Sequence, residues 1–237
     1  MHGLKDLVET PLYAGVWTWS RGGGWGGPYL KSEFWCEANA YVLAQWAMSP
    51  TREEKDIFLQ FAKMKGFDEK SASTLHNIAL MSPKAILRGR ASNVVDISSY
   101  ELEWTRDDAM RGYKFLNGLF DRAFAKGEVD KIIQEKREAM EMWQHMQFMA
   151  ENLKCADAEL LAAVRASIDY GCYFYKLTHY AWSVMLMGKA GRVEALPELI
   201  KKYDATKSEW VDFCEKSPWA ATMFKLDELD ASIAVYR

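Results

Sequence analysis

The feature that most constrains the fold is a long apolar stripe in the second half of the chain. Apolar residues recur every three or four positions from Leu160 to Leu186, over about seven helical turns. This period is typical of a helix that buries one face. A second stripe with the same spacing begins at Val129, and Ala156-Asp157 ends it. The two stripes predict two long helices that pack around a shared core.

The stretch that begins at Ser32 is also helical in pattern. Ser32 predicts the N-cap of a helix over about residues 33–48. Thr51, with Glu54 three positions later, predicts a capping box for the next helix, and Gly66 predicts its end. A further helix is expected over about residues 68–88.

Two more helices complete the predicted fold. One begins near Thr105 and runs through Phe124, and the other covers about residues 193–215 with an interruption or kink near Pro197. The predicted fold class is therefore mainly α, a multi-helix bundle or array of long helices with a short N-terminal strand and a glycine-rich loop.

Composition limits the classes of function. The 237 residues are 49% hydrophobic and 27% charged, with a formal net charge of -3, which is an ordinary globular balance that disfavours a nucleic-acid partner. We find no apolar run of about 20 residues that would span a membrane, and the N-terminus lacks the apolar region of a signal peptide. A cytoplasmic location is therefore expected for the chain as given.

The first thirty residues differ from the rest. Residues 12–19 alternate and are rich in β-forming side chains, so they predict a strand. Residues 20–28 contain five glycines and a proline, which predict a shaped loop. Because a lone strand has no partner for its backbone groups, we expect a sheet upstream. The predicted organisation is a strand and loop over residues 1–31 and a helical domain over residues 32–237.

This loop carries the richest group of candidate binding residues. Trp17, Trp19, Arg21 and Trp25 suit a sugar, because indole faces stack on a pyranose ring and a guanidinium holds a carboxylate through two parallel hydrogen bonds. The structural alternative has equal weight: the indoles cover helix ends and the glycines only form a turn.

Glu33 and Glu37 lie one helical turn apart and are the second candidate. Two carboxylates could act as acid and base in a self-contained enzyme. Negative residues in a first helical turn are also favoured by the helix dipole, and this structural interpretation is preferred.

Other reactive residues give weaker signals. His76, His145 and His179 stand on different predicted helices, and His179 falls on the apolar stripe, which favours a core histidine. The cysteines lie too far apart for a CxxC pair, so buried free thiols are expected. We expect no metal site and no cofactor. The stripe of Met140, Trp143, Met146 and Met149 favours core packing over a partner surface.

Three stretches resemble a known arrangement. They are residues 13–25 (YAGVWTWSRGGGW), 34–41 (FWCEANAY) and 44–51 (AQWAMSPT). Together they resemble the last barrel strand and the start of the helical C-terminal region of α-glucuronidase-type glycoside hydrolases (family 67 and its relatives). The motif-level likeness covers about residues 13–55, and the rest of the chain agrees in architecture.

The resemblance implies a C-terminal portion of a larger hydrolase, whose catalytic carboxylates would lie on earlier barrel strands. The segment from Trp19 to Trp25 would then form a wall of the substrate site at the carboxyl end of a strand. The implied partners are an acidic xylan-type oligosaccharide or the missing barrel domain. A helical interaction or dimerisation module, including a homo-oligomer, is the alternative.

Overall fold

The protein is described by a computed structural model that covers residues 32–90, 92, 110, 112–221 and 225–237. The predicted strand over 12–19, the glycine-rich loop and the predicted helix start at Thr105 lie outside these residues. Within the described ranges the chain forms eight α-helices. The predicted mainly α, multi-helix fold is therefore confirmed.

The seven helices predicted from the sequence are present in the predicted order, followed by a short C-terminal helix that the sequence did not predict. They are α1 (Phe34–Met48), α2 (Glu54–Met64), α3 (Glu69–Arg90), α4 (Tyr113–Ala125), α5 (Val129–Ala150), α6 (Ala158–Lys189), α7 (Leu196–Lys216) and α8 (Asp227–Ala234), with a 3-10 turn at Val193–Ala195 before α7.

The helix ends show which local signals are reliable. The N-cap prediction at Ser32 is wrong by one residue, because α1 begins at Phe34 with Glu33 at the N-cap position and no side-chain cap. The hydroxyl of Ser32 accepts from the N–H of Phe34 at 3.3 Å. Gly66 has a φ of 92° and ends α2, in the left-handed region that glycine adopts without strain. The capping box at Thr51 is wrong, because α2 begins at Glu54 with no side-chain cap. Its N-cap position is held by Glu53 in an extended conformation.

The expected kink near Pro197 is also wrong. Pro197 occupies the first turn of α7, directly after the 3-10 turn, where a missing backbone N–H breaks no helical hydrogen bond. Proline therefore starts this helix and does not interrupt it.

Two hydrophobic clusters share α5 and α6, the longest pair of neighbouring helices. We call the cluster around α1, α2 and α3 the N-terminal core; it includes Phe34, Phe58, Phe61, Phe67, Leu75, Ile78, Met146 and Ile168. We call the cluster around α4, α7 and α8 the C-terminal core; it includes Phe120, Ile132, Tyr175, Trp182, Met185, Tyr203, Trp210 and Leu229.

Trp143 on α5 joins the two cores, since it packs against both. Its ring stacks on Tyr175 of α6 with centroids 5.3 Å apart and planes 10° apart. A Cβ atom at Gly171 would lie 2.2 Å from the Trp143 ring, so only glycine allows this approach. The close contact between α5 and α6 thus depends on one small residue.

The lengths and hydropathies of the helices can be compared with those of a membrane-spanning helix. Across the described ranges, none of the helices combines the length and the apolar character that crossing a bilayer would require.

Candidate functional site

The candidate site residues fall into two groups. Trp17, Trp19, Arg21 and Trp25 lie outside the described residues. Glu33 and Glu37 are described and lie at the start of α1, the helix that follows the predicted Trp/Arg/Gly loop.

The first turn of α1 is fixed to the rest of the fold. Phe34 is 2% exposed, and its ring packs against Phe61 and Phe67 at centroid distances of 5.5 and 5.6 Å. The indole N–H of Trp35 donates to the hydroxyl of Ser167 on α6 at 2.9 Å. Residues 34 and 35 are thus held by α2, by the turn after it and by α6.

The two glutamates at this end make separate local contacts. Glu37 is exposed and forms an ion pair with Lys65, the residue that follows α2. Burial raises the pKa of the Cys36 thiol, and the charge of Glu33, which accepts a hydrogen bond from this thiol, raises it further. Cys36 is therefore a protonated thiol at neutral pH and a poor nucleophile. These contacts favour the structural interpretation of Glu33 and Glu37 over an acid–base pair.

A cleft of about 190 Å³ opens beside this end, between α1, α2 and α3. Trp35 and Phe58 give it aromatic walls, and Asn39, Glu54 and His76 give it polar ones. The Phe58 ring meets the His76 ring edge-on at 5.5 Å. Burial lowers the pKa of His76, against the opposing charge of Glu54, so this imidazole is neutral at pH 7.

A second polar group is buried where α3 ends against α5 and α6. Lys136 is 1% exposed; its ammonium donates to the backbone carbonyl of Arg88 at 2.7 Å and lies 4.4 Å from the centroid of the Trp182 ring. The neighbouring Glu135 accepts a hydrogen bond from the hydroxyl of Ser92 at 2.6 Å. The carbonyl of Arg88 is one of the last four of α3, which find no partner within the helix. Lys136 thus caps the end of α3.

Burial lowers the pKa of Lys136 to about 7, while the charge of Glu135 acts in the opposite direction. An amine with such a pKa could serve as a base or a nucleophile where a substrate can reach it. The described geometry gives this one a bonding role instead, because its ammonium is enclosed between a helix end and an indole face.

Sequence reasoning missed Lys136, although a signal was present. Ile132, Ile133, Ala139 and Trp143 mark the face of α5 that packs inward, and position 136 lies on that face. A charged residue on a buried stripe requires partners, and this rule would have identified it.

The histidine and cysteine predictions fare differently. His179 is 5% exposed, and burial lowers its pKa to about 4, which confirms a core histidine. His76 lines the cleft, whereas His145 is exposed. All four cysteines are free, but only Cys172 is buried; Cys36, Cys155 and Cys214 are half-buried. In the described ranges, no group of three His, Cys, Asp or Glu side chains could hold a metal ion.

Comparisons with known proteins add no relative. Neither the profiles of protein families, nor curated protein sequences, nor solved structures contain a match to this chain.

Proposed function

We propose that the chain is the C-terminal helical portion of a carbohydrate-active enzyme, an α-glucuronidase-like glycoside hydrolase. In this proposal Trp17, Trp19, Arg21 and Trp25 contact acidic xylan-type sugars, and the chain is not catalytic alone. The observation that carries it is the fixed first turn of α1. Phe34 and Trp35 anchor the chain nine residues after Trp25, so the helical array can present the Trp/Arg/Gly segment from a defined point.

The chemistry of that segment fits an acidic sugar. Indole rings stack on the apolar face of a pyranose, and Arg21 can hold the sugar carboxylate with two hydrogen bonds. Hydrolysis needs two carboxyl groups that flank the glycosidic bond. Glu37 is paired with Lys65 and Glu33 accepts from Cys36, so the proposal assigns the catalytic carboxylates to upstream strands.

The test is a titration of tryptophan fluorescence with a xylo-oligosaccharide that carries glucuronic acid, beside the same oligosaccharide without the acid. We expect quenching and tighter binding of the acidic form. Arg21→Ala should weaken binding of the acidic form by about 10- to 100-fold, because hydrogen bonds between charged groups contribute roughly 1.5–3 kcal/mol.

The matched control is Arg192→Ala, which removes an exposed arginine that pairs with Asp130 far along the chain. This variant should bind as the unaltered chain does. Absence of any fluorescence change with acidic and neutral glycans, or an equal loss in both arginine variants, would contradict the proposal.

The alternative function is a helical interaction or dimerisation module. It is favoured by exposed apolar side chains on α3, where Leu80 and Leu87 are 56% and 59% exposed and lie two turns apart on one face. Light scattering of the whole chain distinguishes the two functions. A monomer at high concentration would remove self-association as its role.

A further inference from the structure

We propose that the cleft between α1, α2 and α3 binds the phenol ring of a small molecule. In this proposal the ring packs against Trp35 and Phe58, and its hydroxyl pairs with the imidazole of His76. The site is separate from the segment that contains Arg21. The inference therefore goes beyond the proposed function and does not depend on it.

The cleft has a buried floor and an exposed mouth. His76 and Phe58 line it and are 7% and 6% exposed, so they form its floor. Leu80 is 56% exposed, and Asn39 is exposed as well, so these two side chains lie at its mouth. A ligand that enters the cleft therefore ends against an imidazole and a phenyl ring.

The walls of the cleft are apolar, and the largest of them is fixed by the fold. The indole N–H of Trp35 donates to the hydroxyl of Ser167 at 2.9 Å, and Phe34 meets the same indole edge-on with centroids 5.1 Å apart. The rest of the wall is aliphatic and is formed by Val42, Leu43 and Ala79. Because the Trp35 N–H already has a partner, this residue offers a ligand its aromatic ring, on which another ring can pack.

The polar group of the floor suits a single hydroxyl. Burial lowers the pKa of His76, the charge of Glu54 raises it, and the charge of Lys55 lowers it. The imidazole is therefore neutral at pH 7 and has one donor and one acceptor nitrogen. None of the described residues forms a hydrogen bond with these nitrogens. A phenol hydroxyl both donates and accepts, so it can pair with either nitrogen.

Charge does not select the ligand of this cleft. Glu54 and Lys55 carry opposite charges, and both act on His76. Glu54 also takes part in an interaction within the chain, so no ligand contact is assigned to it. Selection then depends on the apolar walls and on one imidazole. A pyranose carries several hydroxyls, most of which such walls would leave without a partner, whereas a phenol carries one.

The size of the cleft matches one substituted ring. Its volume is about 190 Å³. A cavity of about 150 Å³ lined by Leu, Ile and Phe binds benzene, so the cleft has room for a benzene ring with a small substituent. Pockets for drug-sized ligands take about 300–1,000 Å³, so a larger molecule would keep most of its atoms outside the mouth.

The first test compares three ligands of similar size by calorimetry, with the whole chain at pH 7. Phenol has an aromatic ring and a hydroxyl, toluene has the ring without the hydroxyl, and cyclohexanol has the hydroxyl on a ring without an aromatic face. We expect phenol to bind about two- to tenfold more tightly than cyclohexanol, because only phenol makes aromatic contacts. Equal or tighter binding of cyclohexanol would overturn the aromatic assignment.

The second test removes the polar group of the floor. His76→Phe keeps an aromatic ring but has no hydrogen-bonding nitrogen. It should raise the Kd for phenol by about two- to tenfold, as the loss of one neutral hydrogen bond does, and leave the Kd for toluene unchanged. The matched control is His145→Phe, the same substitution at an exposed histidine of α5 that does not line the cleft. It should leave both Kd values unchanged.

The third test fills the cleft. Ala79→Leu adds bulk to a half-buried wall residue and should weaken the binding of all three ligands by about tenfold or more, because the space for a ring is lost. Circular dichroism and thermal unfolding establish that each variant is folded. If one variant does not fold, the ligand series and the other variant still test the site.

Four results would overturn the inference. The unaltered chain could fail to bind phenol, phenol binding could survive Ala79→Leu, or His76→Phe could weaken phenol and toluene equally. The fourth is tighter binding of N-acetyltyrosine amide than of phenol, which would assign the cleft to a tyrosine of a partner chain. Arg21→Ala, which tests the proposed function, should leave phenol binding unchanged, so each proposal can fail without the other.

Discussion

The C-terminal core contains more aromatic side chains than the N-terminal core, and the two cores also differ in how they accommodate polar groups. The N-terminal core is formed by phenyl rings, among them Phe34, Phe61 and Phe67, and beside it an open cleft is lined by polar groups that include His76. The C-terminal core is formed around indoles and phenols, and it encloses an ammonium group, that of Lys136, against Trp182. A bound ligand should therefore act on the N-terminal core, and a change of pH should alter the stability of the C-terminal core.

The aromatic types explain this difference. A phenyl ring has no polar handle, so Phe61 and its neighbours can be buried without partners. An indole ring makes stronger cation–π interactions than a phenyl ring does. The face of Trp182 therefore offsets part of the hydration free energy that the Lys136 ammonium loses on burial. The C-terminal core thus encloses a cation against an indole face, whereas the cation that contacts the N-terminal core, Lys65 at 5.6 Å from the centroid of the Phe61 ring, has a side chain that is 37% exposed.

The largest expected effect comes from removing that indole. Trp182 is 0% exposed, and truncation of such a residue to alanine costs about 3–5 kcal/mol of the free energy of unfolding. Trp182→Ala also removes the ring beside Lys136 and an edge-on contact to Phe120 at 5.3 Å. We expect it to cost more than Phe61→Ala in the N-terminal core, as measured by urea unfolding.

Trp182→Phe serves as the conservative control, because it keeps an aromatic face at that position. It should recover part of the loss. If Phe61→Ala lowered the free energy of unfolding as much as Trp182→Ala does, the indole would have no special role beside the buried ammonium. The effect of each variant would then reflect only the volume of the side chain removed.

Much of this architecture could be predicted from the sequence, because the 3.6-residue period reports which face of a helix is buried. α5 and α6 follow from their stripes. Local end signals were less reliable: Thr51 has the right neighbours for a capping box, but α2 begins after an extended Glu53. Pro197 is compatible with either a kink within a helix or the first turn of one. The 3-10 turn at Val193–Ala195 that precedes it places Pro197 in the first turn of α7.

The candidate sites were harder to predict for a physical reason. The cleft exists because Asn39 on α1, Glu54 on α2 and His76 on α3 meet at a gap in the packing, and no periodicity within one helix encodes that meeting. Glu33 and Glu37 were visible as a pair, but the pairing of Glu37 with Lys65 depends on how α1 and α2 pack.

The second expected effect concerns the pH dependence of stability. Burial lowers the pKa of Lys136 from 10.5 to about 7, so the folded protein releases this proton at a lower pH than the unfolded chain. Between pH 7 and 10.5 the unfolded chain therefore binds more protons, and this side chain increases stability as the pH rises; below pH 7 its burial cost is greatest. Lys136→Met should abolish that rise, which amounts to about 1.4 kcal/mol per pH unit at most.

Urea unfolding of the unaltered chain and the variant at pH 6, 7.5 and 9 measures the effect as a difference in slope. Lys131→Met, an exposed lysine of the same helix that pairs with Glu128, is the control and should leave the slope unchanged. Parallel pH profiles for the Lys136 variant and the unaltered chain would mean that the ammonium keeps its charge in the C-terminal core, held by the Arg88 carbonyl and the Trp182 ring.

The smallest effect is expected at the N-terminal core, where charge lies at the surface. Glu37 and Lys65 form an ion pair, but their side chains are 48% and 37% exposed, so solvent and salt screen the attraction. Exposed pairs of this kind contribute about 0–1 kcal/mol. Glu37→Gln should therefore change the free energy of unfolding by less than about 1 kcal/mol, and less still at high salt. A salt-independent loss of several kcal/mol would show instead that this end of α1 depends on charge as the C-terminal core does, and the distinction between the two regions would fail.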